Sequence, residues 1–250
     1  MTEHVGSEFM KRTRYEFLGP SDQQRGRPSP PVEMPWDQSA EVIDLPGRDA
    51  LEFSPVDLTD AIERRRSLRD YAAAPMTVGE LSYLLWCTQG VKEVIPGAAT
   101  LRTVPSAGAR HAFETFLLVN RVDPLAAGLY RFLAVEHKLL ALRTGEEVAG
   151  EAVRGCLGQE FVADSAAAFL WAADARRMIW RYGQRGYRYL HLDAGHVCQN
   201  LYLAAQAVGC GVCAIAAFDD DAMNRLCGLD GEEQFVIYLA AVGRMGGVAV

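Results

Sequence analysis

Arg64-Arg65-Arg66-Ser67-Leu68-Arg69-Asp70-Tyr71 sets four arginines and a hydroxyl within six residues of a chain whose formal net charge is −7. A local cationic cluster on an acidic protein has two readings. In one, the arginines close a short helix that begins near Thr59. There they satisfy terminal carbonyls and oppose the negative end of the helix dipole. In the other, guanidinium groups and a serine hydroxyl form an anion site suited to a phosphate. On helical spacing Arg65 and Arg69 share a face. The stretch alone leaves the two readings level, and the rest of the chain has to separate them.

The 250 residues suffice for one large domain or two small ones, and half are hydrophobic, ample for a sizeable core. The acidic balance excludes general nucleic-acid binding, which needs a broad basic surface. Met1 to Met10 carries Glu3, His4 and Glu8 and lacks the apolar run of a signal peptide. The longest apolar tract, Leu201 to Phe218, contains Gln206, Gly209 and Gly211, so it reads as a helix followed by a strand, not a membrane span. Six cysteines (Cys87, Cys156, Cys198, Cys210, Cys213, Cys227) follow no disulfide framework. The expectation is reduced thiols in a cytoplasmic protein.

Residues 1–56 are rich in proline, glycine and charge, and show no apolar periodicity. They read as an N-terminal extended arm whose few aromatics, such as Tyr15, Phe17 and Trp36, dock on something, a partner subunit included. Residues 57–250 form the folded domain. Thr59 is the expected N-cap of the helix that ends at the arginines. Thr77 and Glu80 form a capping box ahead of a helix with Leu81, Leu84, Leu85 and Thr88 on one face, ended by Gly90. Residues 91–104 read as a loop. Strands are expected over 113–120, 128–133, 137–142, 166–172, 212–218 and 235–242. Helices are expected over 145–157, 175–182 and 187–208. The last of these is apolar nearly all round and should be buried on several sides. Its polar seam of Asp193, His196 and Asn200 then needs partners.

Gly209-Cys210-Gly211-Val212-Cys213-Ala214 fits the dinucleotide pattern G-x-G-x-x-A, but it follows a helix and opens a strand, the reverse of what that loop requires. A helix C-cap and turn is the better reading. Cys210 and Cys213 lack two further ligands for zinc and read as core residues. His191 and His196 are off the spacing of a helical metal pair. Asp219-Asp220-Asp221 reads as a turn and N-cap, so no metal site is expected. Four distant pieces remain: the Arg/Ser cluster, the turn Pro105-Ser106-Ala107-Gly108-Ala109-Arg110, the small-residue stretch Ala214-Ile215-Ala216-Ala217, and Gly243-Arg244. Small residues let backbone approach a flat ligand, and arginines from both ends of the chain could close on one phosphate.

In this order the pieces resemble the FMN-dependent nitroreductase family, and within it the SagB-type (thiazole/oxazole-forming, azoline) dehydrogenase branch. The resemblance runs from about Leu58 to Arg244. It rests on Arg65 to Tyr71, Pro105 to His111, Tyr187-Arg188-Tyr189, Leu192-Asp193-Ala194-Gly195-His196, Gln199-Asn200-Leu201, Ala214 to Asp219, and Val242-Gly243-Arg244. Glu8-Phe9-Met10 and Gly19-Pro20-Ser21-Asp22-Gln23 in the arm resemble stand-alone members of that branch.

The resemblance implies an α+β fold, with a mixed, mainly antiparallel sheet flanked by helices, in an intertwined homodimer carrying two FMN sites at its interface. The long helix would be the dimer core. Cofactor contacts would come from Arg65, Ser67 and Arg244 at the phosphate, with Arg66 and Gly243 beside them. Arg69 would lie along the ribityl chain or pyrimidine edge. Pro105, Ser106, Ala107 and Gly108 would pack beside the ring, and Ala216 and Ala217 would offer backbone N–H groups near N5. The implied activity is hydride exchange between flavin and a small-molecule or peptide substrate, with NADH or NADPH as a donor. In azoline dehydrogenases a Lys-Tyr pair precedes the Tyr-Arg-Tyr segment. The matching positions here are Arg181-Tyr182, the candidate catalytic residues. Arginine stays protonated and is a poor base, while Tyr182 can serve as an acid or polar contact. Two alternatives stay open. Arg181 and Tyr182 could be a surface ion pair and a packed aromatic. The whole chain could be a flavin-binding but catalytically idle partner of a peptide-modifying complex.

Overall fold

The structure, a computed structural model, describes residues 4–47 and 55–246; residues 48–54 of the expected arm and the last four of the expected domain lie outside the described residues. In chain order, α1 (Val5–Arg12) and β1 (Val42–Asp44) come from the arm, followed by α2 (Leu58–Arg64), β2 (Met76–Thr77) and α3 (Val78–Gln89). Next are β3 (Val91–Ile95), β4 (Ala99–Arg102), β5 (Phe113–Val119), β6 (Val122–Asp123), β7 (Gly128–Leu133) and β8 (Lys138–Thr144). The C-terminal half holds α4 (Glu147–Gly155), α5 (Phe161–Asp164), β9 (Ala167–Asp174), α6 (Ala175–Tyr182), α7 (Gly186–Ala207), β10 (Cys210–Ile215), α8 (Asp220–Cys227) and β11 (Gln234–Arg244).

One seven-stranded sheet, in the order β1-β8-β7-β5-β9-β11-β10, organises the molecule. Every pairing in it is antiparallel. The parallel component is a separate two-residue pairing of β2 with β6. The fold is therefore α+β, as expected, with the mixing confined to a small annex. Central strands β5 and β9 are buried at every residue, so both faces of the sheet are covered. Alternation divides their side chains. Phe113, Leu117, Phe169 and Trp171 join the core with Leu84, Leu85, Leu190 and Leu201 of α3 and α7. Phe116, Leu118 and Leu170 join the opposite core with Val148, Val153 and Met223 of α4 and α8.

The Thr77/Glu80 capping box forms, with Glu80 N–H donating to Thr77 Oγ1 at 3.2 Å and Thr77 N–H to Glu80 Oε2 at 2.8 Å. Asp219 caps α8 by accepting from Ala222 N–H. Gly209, with φ 63°, makes the turn between α7 and β10. Cys210 and Cys213 are both buried along β10, three apart and thus on opposite faces, and the six cysteines are free thiols.

Three expectations change. The N-cap of α2 is Asp57, whose carboxylate accepts from Thr59 and Asp60 N–H, not Thr59. Residues 91–104 are no plain loop: β3 and β4 pair as a hairpin whose turn holds Gly97 at φ 68°. The N-terminal segment is not extended throughout, since it contains α1 and adds β1 to the edge of the main sheet.

Candidate active site

Helix α2 stops at Arg64, and Arg65 to Tyr71 runs as extended chain. Capping of carbonyls therefore does not explain Arg65, Arg66 or Arg69. Ser67 pairs with Val212 and Tyr71 with Met245 as isolated bridges, while Leu68 N–H donates to Val212 O at 2.9 Å. The seat for this segment is a pair of glycines. Gly211 and Gly243 are cross-strand partners on β10 and β11. A Cβ on Gly211 would lie 2.4 Å from the Leu68 side chain, and one on Gly243 would lie 2.8 Å from the Tyr71 ring. Tyr71 is anchored further by its hydroxyl, which donates to Ala241 O at 3.1 Å.

Three guanidinium groups project from this segment. Arg65 sits 5.4 Å from the centre of the Tyr202 ring, and Arg69 sits 5.8 Å from that of Phe161. Among the described residues, none of Arg65, Arg66 and Arg69 meets a carboxylate. The Tyr202 hydroxyl accepts from Ala214 N–H at 2.9 Å and lies 3.0 Å from Ser67 Oγ. When Tyr202 gives its own proton to Ser67, the serine proton is left for an outside acceptor. Sequence reasoning missed Tyr202, which is mostly buried and looked like one more apolar residue of α7.

Arg244 is held elsewhere. Its guanidinium forms a two-oxygen bridge to Glu80 at 2.7 and 2.8 Å and also donates to Val208 O at 2.5 Å and Pro75 O at 3.2 Å. Ala216 and Ala217 lie beyond the end of β10, in an exposed connection to α8. The strand expected to reach Phe218 stops at Ile215, where its pairing with β11 ends at Leu239. Gln159 Nε2 donates to Ala217 O at 2.8 Å and steadies that connection.

A second group of expected residues gathers around the turn before β5. Ala107 N–H donates to both Asp193 oxygens at 3.2 and 3.3 Å, and His111 N–H donates to Ser106 Oγ at 2.9 Å. Burial pushes the Asp193 carboxyl up, against the hydrogen bonds from Ser106 and Ala107 and the nearby His196. The polar seam of α7 thus finds partners within the chain, Asn200 donating to Cys87 O at 2.9 Å. Gly108 has φ 58°, and a Cβ there would lie 2.5 Å from Tyr182 Oη and 2.8 Å from Arg181 Nε. The left-handed backbone and this close approach of the Arg181-Tyr182 pair favour glycine at the position. Tyr182 packs edge-on against Tyr189 at 4.8 Å, and Arg181 has no ion pair among the described residues.

The candidate residues therefore fall into two groups. Asp193, which holds the 105–108 turn, and Tyr202, which holds Ser67, are nine positions apart on α7, a rise of about 13 Å.

The profile of the Nitroreductase family matches residues 62–244, and the chain belongs to that family. The chain is 33% identical over 193 residues to MJ1384 of Methanocaldococcus jannaschii, which carries the nitroreductase name; 77% of this chain and 93% of that one are covered. A solved structure from Ralstonia eutropha JMP134, also named for nitroreductase, superposes with a TM-score of 0.68 at 25% identity, over 88% of this chain and 94% of that one. The trifolitoxin-processing protein TfxB of Rhizobium leguminosarum bv. trifolii is 28% identical over 137 residues, which span 52% of this chain and 36% of TfxB.

Proposed function

We propose that the chain is an FMN-dependent oxidoreductase of the SagB-type branch, working as a homodimer on a small or peptidic substrate. The observation that carries this reading is the set of guanidinium groups at Arg65, Arg66 and Arg69 around Ser67, which meet no carboxylate among the described residues. Their donor chemistry fits a phosphate monoester. Arg65 and Ser67 would hold the phosphate and Arg69 the ribityl chain. Arg244 would join them only on exchanging Glu80 for phosphate, so its first role is to tie β11 to α3.

When bound, FMN supplies two-electron hydride chemistry. The protein's own groups then bind, orient and move protons. Backbone N–H groups at Ala216 and Ala217 would steady the reacting edge of the ring. The 105–108 turn would pack beside it, and the Tyr182 hydroxyl, fixed against Gly108, would donate or accept a substrate proton. Arg181 stays protonated and would orient substrate instead of acting as base. The separation of the two residue groups along α7 supports a site assembled from two copies, the turn of one facing the arginines of the other. Leu192 of α7 is exposed and available for that contact.

Similarity to a trifolitoxin-processing protein supports a peptide substrate. The catalytically idle reading rests on Arg181 in place of lysine. Anaerobic mixing with NADH and then NADPH separates the possibilities. Purified protein should be yellow and release FMN on denaturation. Bleaching by a nicotinamide marks a reductase, and bleaching only by an azoline peptide marks a biosynthetic dehydrogenase. A yellow protein that none of these bleaches is idle. Colourless protein that takes up no added FMN would sink the proposal.

A further inference from the structure

Between the N-terminal arm and the end of α6 lies a cavity of about 670 Å³, whose walls include Leu18, Pro20, Gln24, Arg181, Tyr182 and Arg185. Among the described residues no acidic one lines it. Arg185 is fixed in place: it stacks on Tyr15 at 4.3 Å and donates to Tyr189 Oη at 2.7 Å and Thr13 O at 3.0 Å. Arg181 is exposed and unpaired among the described residues. Arg110 lies near enough that burial and the Arg181 charge together hold its guanidinium below the usual range. Arg181 and Arg185 thus share the cavity wall, with Arg110 close to Arg181 from outside it, and none of the three forms an ion pair among the described residues of a protein whose net charge is −7. Mutual repulsion of that kind is relieved by an anion. The leucine, proline and tyrosine walls suit an organic body attached to it, and a planar guanidinium matches a planar carboxylate.

We propose that this cavity takes the carboxylate of the substrate. Arg181 makes the contact, the Tyr182 hydroxyl donates beside it, and residues 18–24 of the arm form the outer wall. The position rests on the reading that the 105–108 turn flanks the flavin, because Gly108 touches both Arg181 and Tyr182. The source of the carboxylate, a free organic acid or an acidic peptide, is a matter for the probe series below.

Calorimetric titration of the purified protein with para-nitrobenzoate and with para-nitrobenzamide tests the site without needing turnover. The acid should bind about tenfold or more tightly than the amide, the range of a charge-assisted hydrogen bond. Arg181→Gln should bring the ratio near one, Arg181→Lys should keep part of it, and Leu18→Asp should weaken the acid while sparing the amide. A nitrobenzoyl peptide ending in glutamate, compared with its glutamine counterpart, then reports the source: a larger preference than for the free acid marks a peptide, an equal or smaller one a free acid. Absence of nitrobenzoate binding, equal affinities in the wild type, or a preference that Arg181→Gln leaves intact would overturn the proposal. Flavin content is measured separately. Colourless protein that keeps the preference sinks the flavin reading alone, and yellow protein without it sinks the carboxylate site alone.

Discussion

Single residues decide whether the arginine segment can reach its place. Gly211 and Gly243 accept Leu68 and Tyr71 so closely that any side chain must displace them. If the segment holds FMN as proposed, Gly211→Val should weaken that binding at least tenfold, the scale of one lost charged hydrogen bond, while α2 and the sheet persist; flavin fluorescence titration with circular dichroism checks it. Tyr202→Phe removes the hydroxyl shared by Ser67 and Ala214 and should cost about 1–2 kcal/mol of stability, read by denaturant unfolding. Glu33 gives a pH signature. Burial, helped by the Glu114 charge and opposed by Val135 N–H, pushes its carboxyl up from 4.5 to about 7. The folded state then holds the proton more tightly than the unfolded one. The stability this gives is full below about pH 4.5, falls as pH rises to about 7, and is flat beyond. The fall should be on the order of 1–3 kcal/mol. Glu33→Gln keeps an acceptor for Ala134 and Val135 N–H and should flatten that slope. Parallel wild-type and variant stability curves between those pH values would contradict it.

At the scale of elements, long periodic stretches could be read directly from the sequence. The runs of α6, α7 and β7 match their expected spans to within a residue, because burial pattern and breakers agree there. Short elements could not. The β3–β4 hairpin turns on Pro96-Gly97, a usable signal, but β3 is exposed along nearly its whole length and β4 buried except at Leu101, so neither shows a clear alternation. Spacing alone does not tell helix from extended chain after Arg64, because residues 65 and 69 share a face under helical and strand periods alike. The contacts of Tyr202 and Asp193 join segments far apart in sequence, and no local pattern encodes them. Helix α7 also makes a prediction of its own. Gly195 has open space around its Cβ position and Leu192 is exposed, so this face is free in the single chain. If two copies join there, Leu192→Arg should yield monomers that have lost most of their FMN. Size-exclusion chromatography with light scattering, read beside flavin absorbance, would reveal the coupling; a flavin-loaded monomer would refute it.

Across the whole molecule, the arm is built into the charged interior. Buried Arg102 donates to Val32 O at 3.3 Å and Gln89 Oε1 at 2.9 Å, and buried Arg131 donates to Met34 O at 3.0 Å. Met34 N–H donates to Glu114 Oε1 at 2.8 Å, and the same carboxylate pairs with buried Arg177. Glu114→Gln leaves Arg177 with Asp174 alone at 3.7 Å and should destabilise by about 1.5–3 kcal/mol, the range of a hydrogen bond to a charged group, visible as a drop in the unfolding midpoint. The arm also matters at the outside of the sheet. An uncovered β edge offers unpaired N–H and C=O groups to any neighbouring chain. Here β1 covers β8 at one end, and the Ser67–Leu68 stretch covers β10 at the other. The arginine segment of the proposed site is thus also the guard of the β10 edge, and loosening it to admit a bulkier ligand would carry a solubility cost.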